Sequence, residues 1–223
     1  MRAELSVVIP TLNVARRLPE CLGALMEGVN AGLIRELVVT DGGSGDETLR
    51  IADAAGAVIV VGSPSRGGQL RRGALAARGD WLLFLHADTV LPPGWAEAVK
   101  AQIARRRPAC FRLGFDARGL MPLLVAGWAN LRTRVFRLPY GDQGLLVSRD
   151  DYAQAGGYPD IPLMEDVALA RALGARLEVM PLRVRTSAAR YAEAGWLRQG
   201  ARNLWRLLRW LGGADPERLA RRY

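Results

Sequence analysis

Short apolar runs alternate along the chain with stretches whose apolar residues recur every three or four positions. Residues 5–9 form the first run, stopped by Pro10, and read as a buried strand. Residues 17–29 carry Leu18, Cys21, Leu22 and Leu25 at helical spacing. A second strand is expected over 37–40, ending in Asp41-Gly42-Gly43-Ser44, and Asp46 has the position of a cap for a helix through Ala54. Residues 58–61 give a third strand. The Gly-rich stretch 65–68 leads into a helix around 70–77, and 81–85 gives a fourth strand ending in His86-Ala87-Asp88. Strands of unbroken apolar character alternating with helices imply an α/β fold with a mainly parallel sheet covered on both faces. Polar, Gly-rich residues fall just past the carboxyl ends of strands one, two and four, where open α/β sheets bind ligands.

The second half is less regular. Helices are expected over 95–106, 120–136, 165–173 and 196–211, the second interrupted near Pro122 and ended before Pro139. Strands are expected at 110–115, 144–147, 177–180 and 183–186. There is no internal repeat, low-complexity tract or linker, and 223 residues suit one domain with a helical C-terminal extension.

Composition narrows the class. Half the residues are hydrophobic, enough for a core. Cys21 and Cys110 have neither metal-site spacing nor the density of a disulfide framework, so they read as reduced thiols of a cytoplasmic protein. Glu4 and the shortness of 5–9 leave no secretory core, and 120–131, with Pro122 and Asn130, is too short to span a bilayer. The net charge of +9 is uneven: residues 183–223 hold ten Arg and three acids, a net of +7, and the rest is close to neutral. Such a tail suits anionic lipid, a phosphorylated acceptor or nucleic acid. It equally fits a solvated helix face in a chain whose only lysine is Lys100.

Two strand ends carry candidate chemistry. His86 and Asp88, two apart, share a face if the strand continues, so an imidazole and a carboxylate can address one cation. That donor set suits Mn²⁺, or Mg²⁺ less comfortably. His86, the only histidine, fits a packed or hydrogen-bonded role as well. At the second strand end, glycines including Gly43 permit close approach of backbone to ligand, and Asp41 can accept hydrogen bonds from a base or ribose. An ordinary strand-to-helix turn would look the same.

Taken with Val8-Ile9-Pro10-Thr11-Leu12-Asn13 and Arg66-Gly67-Gly68-Gln69, these segments resemble, in order, those of family 2 glycosyltransferases of the GT-A fold. Gly141-Asp142-Gln143-Gly144, Met164-Glu165-Asp166, Thr186-Ser187-Ala188-Ala189-Arg190 and the ending Pro216-Glu217-Arg218-Leu219-Ala220-Arg221-Arg222-Tyr223 also resemble a bacterial subgroup of small members. The resemblance covers nearly the whole chain. It implies a predominantly parallel mixed sheet, a nucleotide-sugar donor of the nucleoside diphosphate type, a divalent metal and inverting transfer to an acceptor hydroxyl. Residues 1–90 would be the nucleotide-binding half, 91–190 the donor-sugar and acceptor half, and 191–223 a basic amphipathic helix and tail.

The resemblance also implies roles. Pro10, Thr11, Asn13, Asp41, Gly43, Arg66, Gln69, Asp142, Gln143 and Arg190 would bind the donor or acceptor. Asp88 would hold the metal, with His86 standing where the family usually has the first acid of Asp-x-Asp. Asp166 would be the general base, Glu165 the alternative. Two acids at a helix N-terminus could instead only complement its dipole. Gln199-Gly200-Ala201-Arg202-Asn203 half-matches the Gln-x-x-Arg-Trp of processive synthases, but the Trp is absent.

Other classes fit less well. A dinucleotide-binding dehydrogenase would carry Gly-x-Gly-x-x-Gly where Pro10-Thr11-Leu12-Asn13 stands. A sugar nucleotidyltransferase would open with a Gly-rich loop bearing Arg and Lys. A nucleic-acid binder would explain the tail but not acids at strand ends, which repel phosphate, so the pattern argues against nucleic acid as the partner. Within the tail, at ~100° per residue, Arg198, Arg202, Arg206 and Arg209 share one arc, and Leu197, Leu204, Leu207, Leu208 and Leu211 lie opposite. Trp196, Trp205 and Trp210 lie on the borders. Leucines inward and arginines outward fit a helix in the interface of an anionic membrane, at its cytoplasmic face with a lipid-linked acceptor, or a helix packed on its own domain.

Overall fold

The computed structural model describes residues 3–220, so Arg221, Arg222 and Tyr223 of the C-terminal motif lie outside the described residues. The sheet grows from β1 (Leu5–Thr11), which pairs in parallel with β2 (Ile34–Asp41) on one side and β4 (Trp81–Phe84) on the other. β3 (Val58–Val61) continues beyond β2. Beyond β4 come β7 (Leu145–Ser148), β6 (Ala109–Phe115), β8 (Glu178–Thr186) and the two-residue β5 (Thr89–Val90). The order is β3-β2-β1-β4-β7-β6-β8-β5. Only the pairings β4–β7, β7–β6 and β8–β5 are antiparallel, so the sheet is mixed and predominantly parallel. The chain winds from β1 through β2 to β3, then crosses back to β4, so strand order reverses beside β1.

Alternation along the strands supplies two cores. Val7, Ile9 and Leu83 pack under Leu18, Cys21 and Leu25 of α1 (Leu18–Asn30) and Trp95 and Val99 of α4 (Trp95–Ala104). Val8, Leu82 and Phe84 point the other way, onto Leu70 and Ala74 of α3 (Arg66–Ala76) and Leu169, Ala170 and Leu173 of α7 (Glu165–Leu173). Helices therefore cover both faces, and Cys21 and Cys110 are buried free thiols.

Several elements depart from the sequence pattern for local reasons. β8 is one strand, not two. Its partner β6 pairs Cys110 with Val179 and then Arg112 with Arg183, so residues 180–182 form a bulge. The bulge holds Pro181, which has no ladder hydrogen to give. The helix expected to break near Pro122 runs unbroken as α5 (Leu120–Phe136), because Pro122 sits in the first turn, where its missing amide costs nothing. Asp46 accepts from Thr48 N at 3.0 Å ahead of α2 (Thr48–Ala54). Among the described residues, three helices span six residues or fewer, α6 (Arg149–Gln154), α8 (Ala189–Ala194) and α10 (Pro216–Ala220), too few to show a period.

Asn130 of α5 completes the edge of β6. It accepts from Leu113 N at 2.7 Å and donates to Leu113 O at 3.0 Å, as a neighbouring strand would. Of the two placements the pattern of the final long helix, α9 (Trp196–Leu211), allows, its leucine arc does not pack on the domain. Gln199 and Leu207 are buried, whereas Leu197, Leu204, Leu208 and Leu211 are exposed. The docked face is the border between the leucine and arginine arcs, because that border completes a cleft. Among the described residues, no helix is long and apolar enough to cross a membrane.

Gly73 lets α3 lie close on the sheet. A Cβ there would stand 2.3 Å from Val8 Cγ1 and 3.0 Å from Thr40 Cγ2. Gly73→Ala gains ~1 kcal/mol of helix propensity and loses ~1–3 kcal/mol to overpacking. The obstacles are stiff β-branched side chains on strands, so the loss should win. Urea unfolding is expected to show a net destabilisation of up to ~2 kcal/mol.

Candidate active site

A cleft of about 870 Å³ opens past the carboxyl ends of β1 and β4, where strand order reverses. Pro10, Thr11, Asn13, Arg66, Gln69, His86, Asp88, Asp142, Glu165, Asp166 and Arg190 line it. Asp41, Gly43 and Gln143, also expected at the site, do not.

Asp41 instead organises its own turn. Its carboxylate accepts from Gly43 N at 2.8 Å, Ser44 N at 2.6 Å, Ser44 Oγ at 2.6 Å and Thr11 Oγ1 at 2.9 Å. Burial alone would raise its pKa, but the donors from Ser44, Thr11 and Gly43 outweigh that and hold it below the ordinary value. Gly43 supplies the positive φ of +96° the turn needs. Asn13, also at positive φ, ties the β1 end to this turn. Its backbone N donates to Ser44 Oγ at 2.8 Å and its Oδ1 accepts from Gly45 N at 2.9 Å. Gln69 bridges the same strand ends, its Nε2 donating to Thr11 O at 2.8 Å and Thr40 O at 2.7 Å.

Gln143 is a buried strut. Its Nε2 donates to Phe111 O at 3.0 Å, and its Oε1 accepts from Thr133 Oγ1 at 2.8 Å and Tyr140 N at 3.3 Å. It fixes the 3-10 turn 141–143 that presents Gly141 and Asp142 to the cleft. Gly141 lies on His86: a Cβ would stand 2.3 Å from His86 Nε2. Gly141 N donates to Asp166 Oδ2 at 2.7 Å, and Asp166 Oδ1 accepts from Val167 N at 2.7 Å. The strand end at 86–88 and the helix start at 165–166 thus meet through one short turn.

A second glycine pair places that helix start. Cβ atoms on Gly67 and Gly68 would strike Pro159 O at 2.0 Å and Asp160 Oδ1 at 2.5 Å. Ser65 Oγ accepts from Gly68 N at 3.3 Å and donates to Asp160 Oδ1 at 2.6 Å. The loop before α7 therefore lies on the start of α3, beside Arg66. Met164 enters α7 at φ +68° with its side chain pinned in a small core by Leu163, Val167 and Leu207.

The ionisable groups sit in an under-compensated field. Burial pushes His86 well below its ordinary value, aided by Arg66 and Arg190, so its ring is neutral at pH 7. Burial raises Asp88 against the pull of Arg66, Arg190 and Arg17. Asp142 is raised to about 6 by burial, with Arg132 opposing, and its buried Oδ1 has no hydrogen-bond partner. Glu165 is 1% exposed, neither oxygen has a hydrogen-bond partner, and Arg66 Nε lies 3.9 Å from its Oε1. Burial, then Asp166, raises it to about 8.

The shift of Glu165 predicts a stability profile. The folded chain keeps the Glu165 proton between its ordinary value of 4.5 and about 8, where the unfolded chain releases it. Folded protein then binds more protons, so stability falls as pH rises through that window. Glu165→Gln, which mimics the protonated form, should flatten the fall. Denaturant midpoints at pH 5 and pH 8 will check this, with the variant at least as stable as the parent at pH 8.

Sequence reasoning missed the wall made by α8 and α9. Gln199, Asn203 and Arg206 line the cleft together with Tyr140 and Tyr191. Gln199 Nε2 donates to Asn203 Oδ1 at 3.0 Å, and Asn203 Nδ2 donates to Tyr191 OH at 3.0 Å. Tyr191 stacks on Trp196 with centroids 5.0 Å apart. The spacing of residues 199, 203 and 206, one helical face, was the available signal. Arg202 of the partly matched synthase motif is exposed and off the cleft.

Comparison with known proteins places this geometry. Part of the chain is 42% identical over 93 residues to a PGL/p-HBAD biosynthesis glycosyltransferase of Mycobacterium tuberculosis, covering 39% of this chain and 36% of the relative. It is 36% identical over 99 residues to the glucosyl-3-phosphoglycerate synthase of Mycolicibacterium smegmatis, covering 39% of this chain and 31% of the relative. The chain thus matches about a third of the length of these curated relatives. Among solved structures, the Mycobacterium tuberculosis glucosyl-3-phosphoglycerate synthase in complex with Mn²⁺, uridine diphosphate and glucosyl-3-phosphoglycerate has a TM-score of 0.57 at 22% identity. That match covers 82% of this chain and 70% of the synthase. The S. aureus TarS fragment 1–349 in complex with UDP-GlcNAc has a TM-score of 0.62 at 15% identity, covering 82% of this chain and 58% of TarS. At such identities the likeness is one of fold, and the fold is GT-A. The model of the family described as Glycosyl transferase family 2 matches residues 6–126, over half of the chain and both strand ends of the cleft, so the chain belongs to that family.

Proposed function

We propose that the protein transfers a sugar, with inversion, from a nucleoside diphosphate sugar to an acceptor hydroxyl. The observation that carries this reading is the meeting, in one cleft, of a strand-end carboxylate, a helix-start carboxylate and two arginines: Asp88, Asp166, Arg66 and Arg190. Residues 1–90 would be the nucleotide-binding half and 91–190 the sugar and acceptor half, with α8 and α9 walling the cleft.

Asp166 is the base. It lines the cleft, and Gly141 N fixes one of its oxygens. Geometry comes before basicity in choosing a base. Both oxygens of Glu165 are buried and make no hydrogen bond, so it stands second to Asp166 as the alternative base. As the acceptor oxygen bonds to the anomeric carbon, Asp166 takes its proton and the nucleoside diphosphate departs from the opposite face. Arg66 and Arg190 offset charge on that leaving group.

The residues fit a divalent cation that arrives with the donor. No group of three His, Cys, Asp or Glu that could hold a metal occurs among the described residues. Mg²⁺-type sites ordinarily use one or two carboxylates plus substrate phosphates, and Asp88 is a buried carboxylate with the neutral ring of His86 in the same cleft. When bound, such an ion would stabilise charge on the diphosphate. The complex of the similarly folded mycobacterial synthase with Mn²⁺ and uridine diphosphate supports the ligand class.

A donor screen tests the whole reading. Nucleoside diphosphate sugars are offered with and without Mn²⁺, and release of free nucleoside diphosphate is scored. Release from no donor, with no binding of any nucleoside diphosphate, would sink the proposal.

A further inference from the structure

Two touching helices leave apolar faces in solvent. On α5, Leu120, Leu124, Trp128, Leu131 and Val135 share one face and are 49–66% exposed. On α9, Leu204, Trp205, Leu208 and Leu211 are exposed. Single exposed leucines are ordinary, but a run along one helix beside a second run on its neighbour marks an interaction surface.

Charge selects the partner. Neither helix has an acidic residue, and together they carry six arginines: 132, 134, 198, 202, 206 and 209. Arg134, Arg198 and Arg202 are exposed. A second copy docked by two-fold symmetry would set this basic surface against itself. An anionic bilayer complements both parts, acyl chains for the leucines and headgroup phosphates for the arginines, with Trp128 and Trp205 at the boundary.

We propose that α5 and α9 form a docking surface for an anionic lipid bilayer. Gln199, Asn203 and Arg206 of the same helix line the cleft, so docking holds one wall of the cleft near the membrane. That a lipid-borne acceptor enters there rests on the transfer reading above; the docking itself does not.

The test mixes the chain, at low salt, with vesicles of phosphatidylcholine alone or with phosphatidylglycerol. It should co-sediment only with the anionic vesicles, and brominated acyl chains should quench its tryptophan emission. Arg198→Gln with Arg202→Gln should lower partitioning about 30-fold. Leu124→Ser with Leu208→Ser should lower it at least ~10-fold. Both pairs should keep the parent's thermal midpoint and nucleotide binding. No sedimentation, equal sedimentation with neutral vesicles, or binding indifferent to the leucine pair would overturn the proposal. So would a dimer in ultracentrifugation that the leucine pair dissolves and that vesicles do not compete away. If the leucine pair fails to fold, the arginine pair and the quenching decide.

Discussion

Asp166→Asn should bind donor nucleotide with near-normal affinity and lose sugar transfer by at least ~10²-fold, the usual scale for removal of a general base. The amide keeps the shape of the carboxylate, and its oxygen can still accept from Gly141 N, the contact that positions the side chain at 2.7 Å. It loses the capacity to take a proton. One contact to Val167 N at the start of α7 is also at risk, so the thermal midpoint must be measured beside the rate. Glu165→Gln is the matched control. Burial, then Asp166, raises its parent carboxyl above the ordinary value, so the amide resembles the form that burial favours, and transfer should persist. Retained transfer in Asp166→Asn would move the base elsewhere in the cleft.

Asp88→Ala should abolish the metal-dependent part of nucleotide binding. Partners that merely support metal ligands are worth ~10–100-fold in affinity, so a direct ligand should cost at least ~10²-fold. Folding should survive, because Asp88 lies past the strand end and burial already raises its carboxyl above the ordinary value. Titrating uridine and guanosine diphosphates with and without Mn²⁺ measures the effect. Unchanged Mn²⁺-dependent binding in the variant would remove Asp88 from the metal site.

The strand ends were legible because each buried parallel strand announces itself as an apolar run, and the residues just past its carboxyl end must lie at one edge of the sheet. That logic pointed to His86 and Asp88, and the family resemblance added Pro10, Thr11 and Asn13; all five line the cleft. It could not tell a residue that faces the cleft from one that holds the wall. Asp41 and Gln143 look like ligand residues in sequence, yet the first closes a turn and the second braces Phe111, Thr133 and Tyr140. Side-chain direction in a turn depends on φ at a few residues, which no periodicity reports. The strand through Pro181 reads as two in sequence because its bulge is a property of the pairing with β6. The leucine arc of α9 suggests a buried face, but only tertiary context sets which arc a helix docks by.

The bonds from Asn13 to Ser44 and Gly45 have a thermodynamic consequence. They lace two loops into one lip when the chain folds, before any ligand arrives. Conformational freedom lost then need not be lost again on binding, so that side of the cleft captures its ligand with little ordering penalty. The wall of α8 and α9 is laced as well, through Gln199, Asn203 and Tyr191. Both walls are thus set before a ligand arrives, and most of what binding has left to order is the ligand itself.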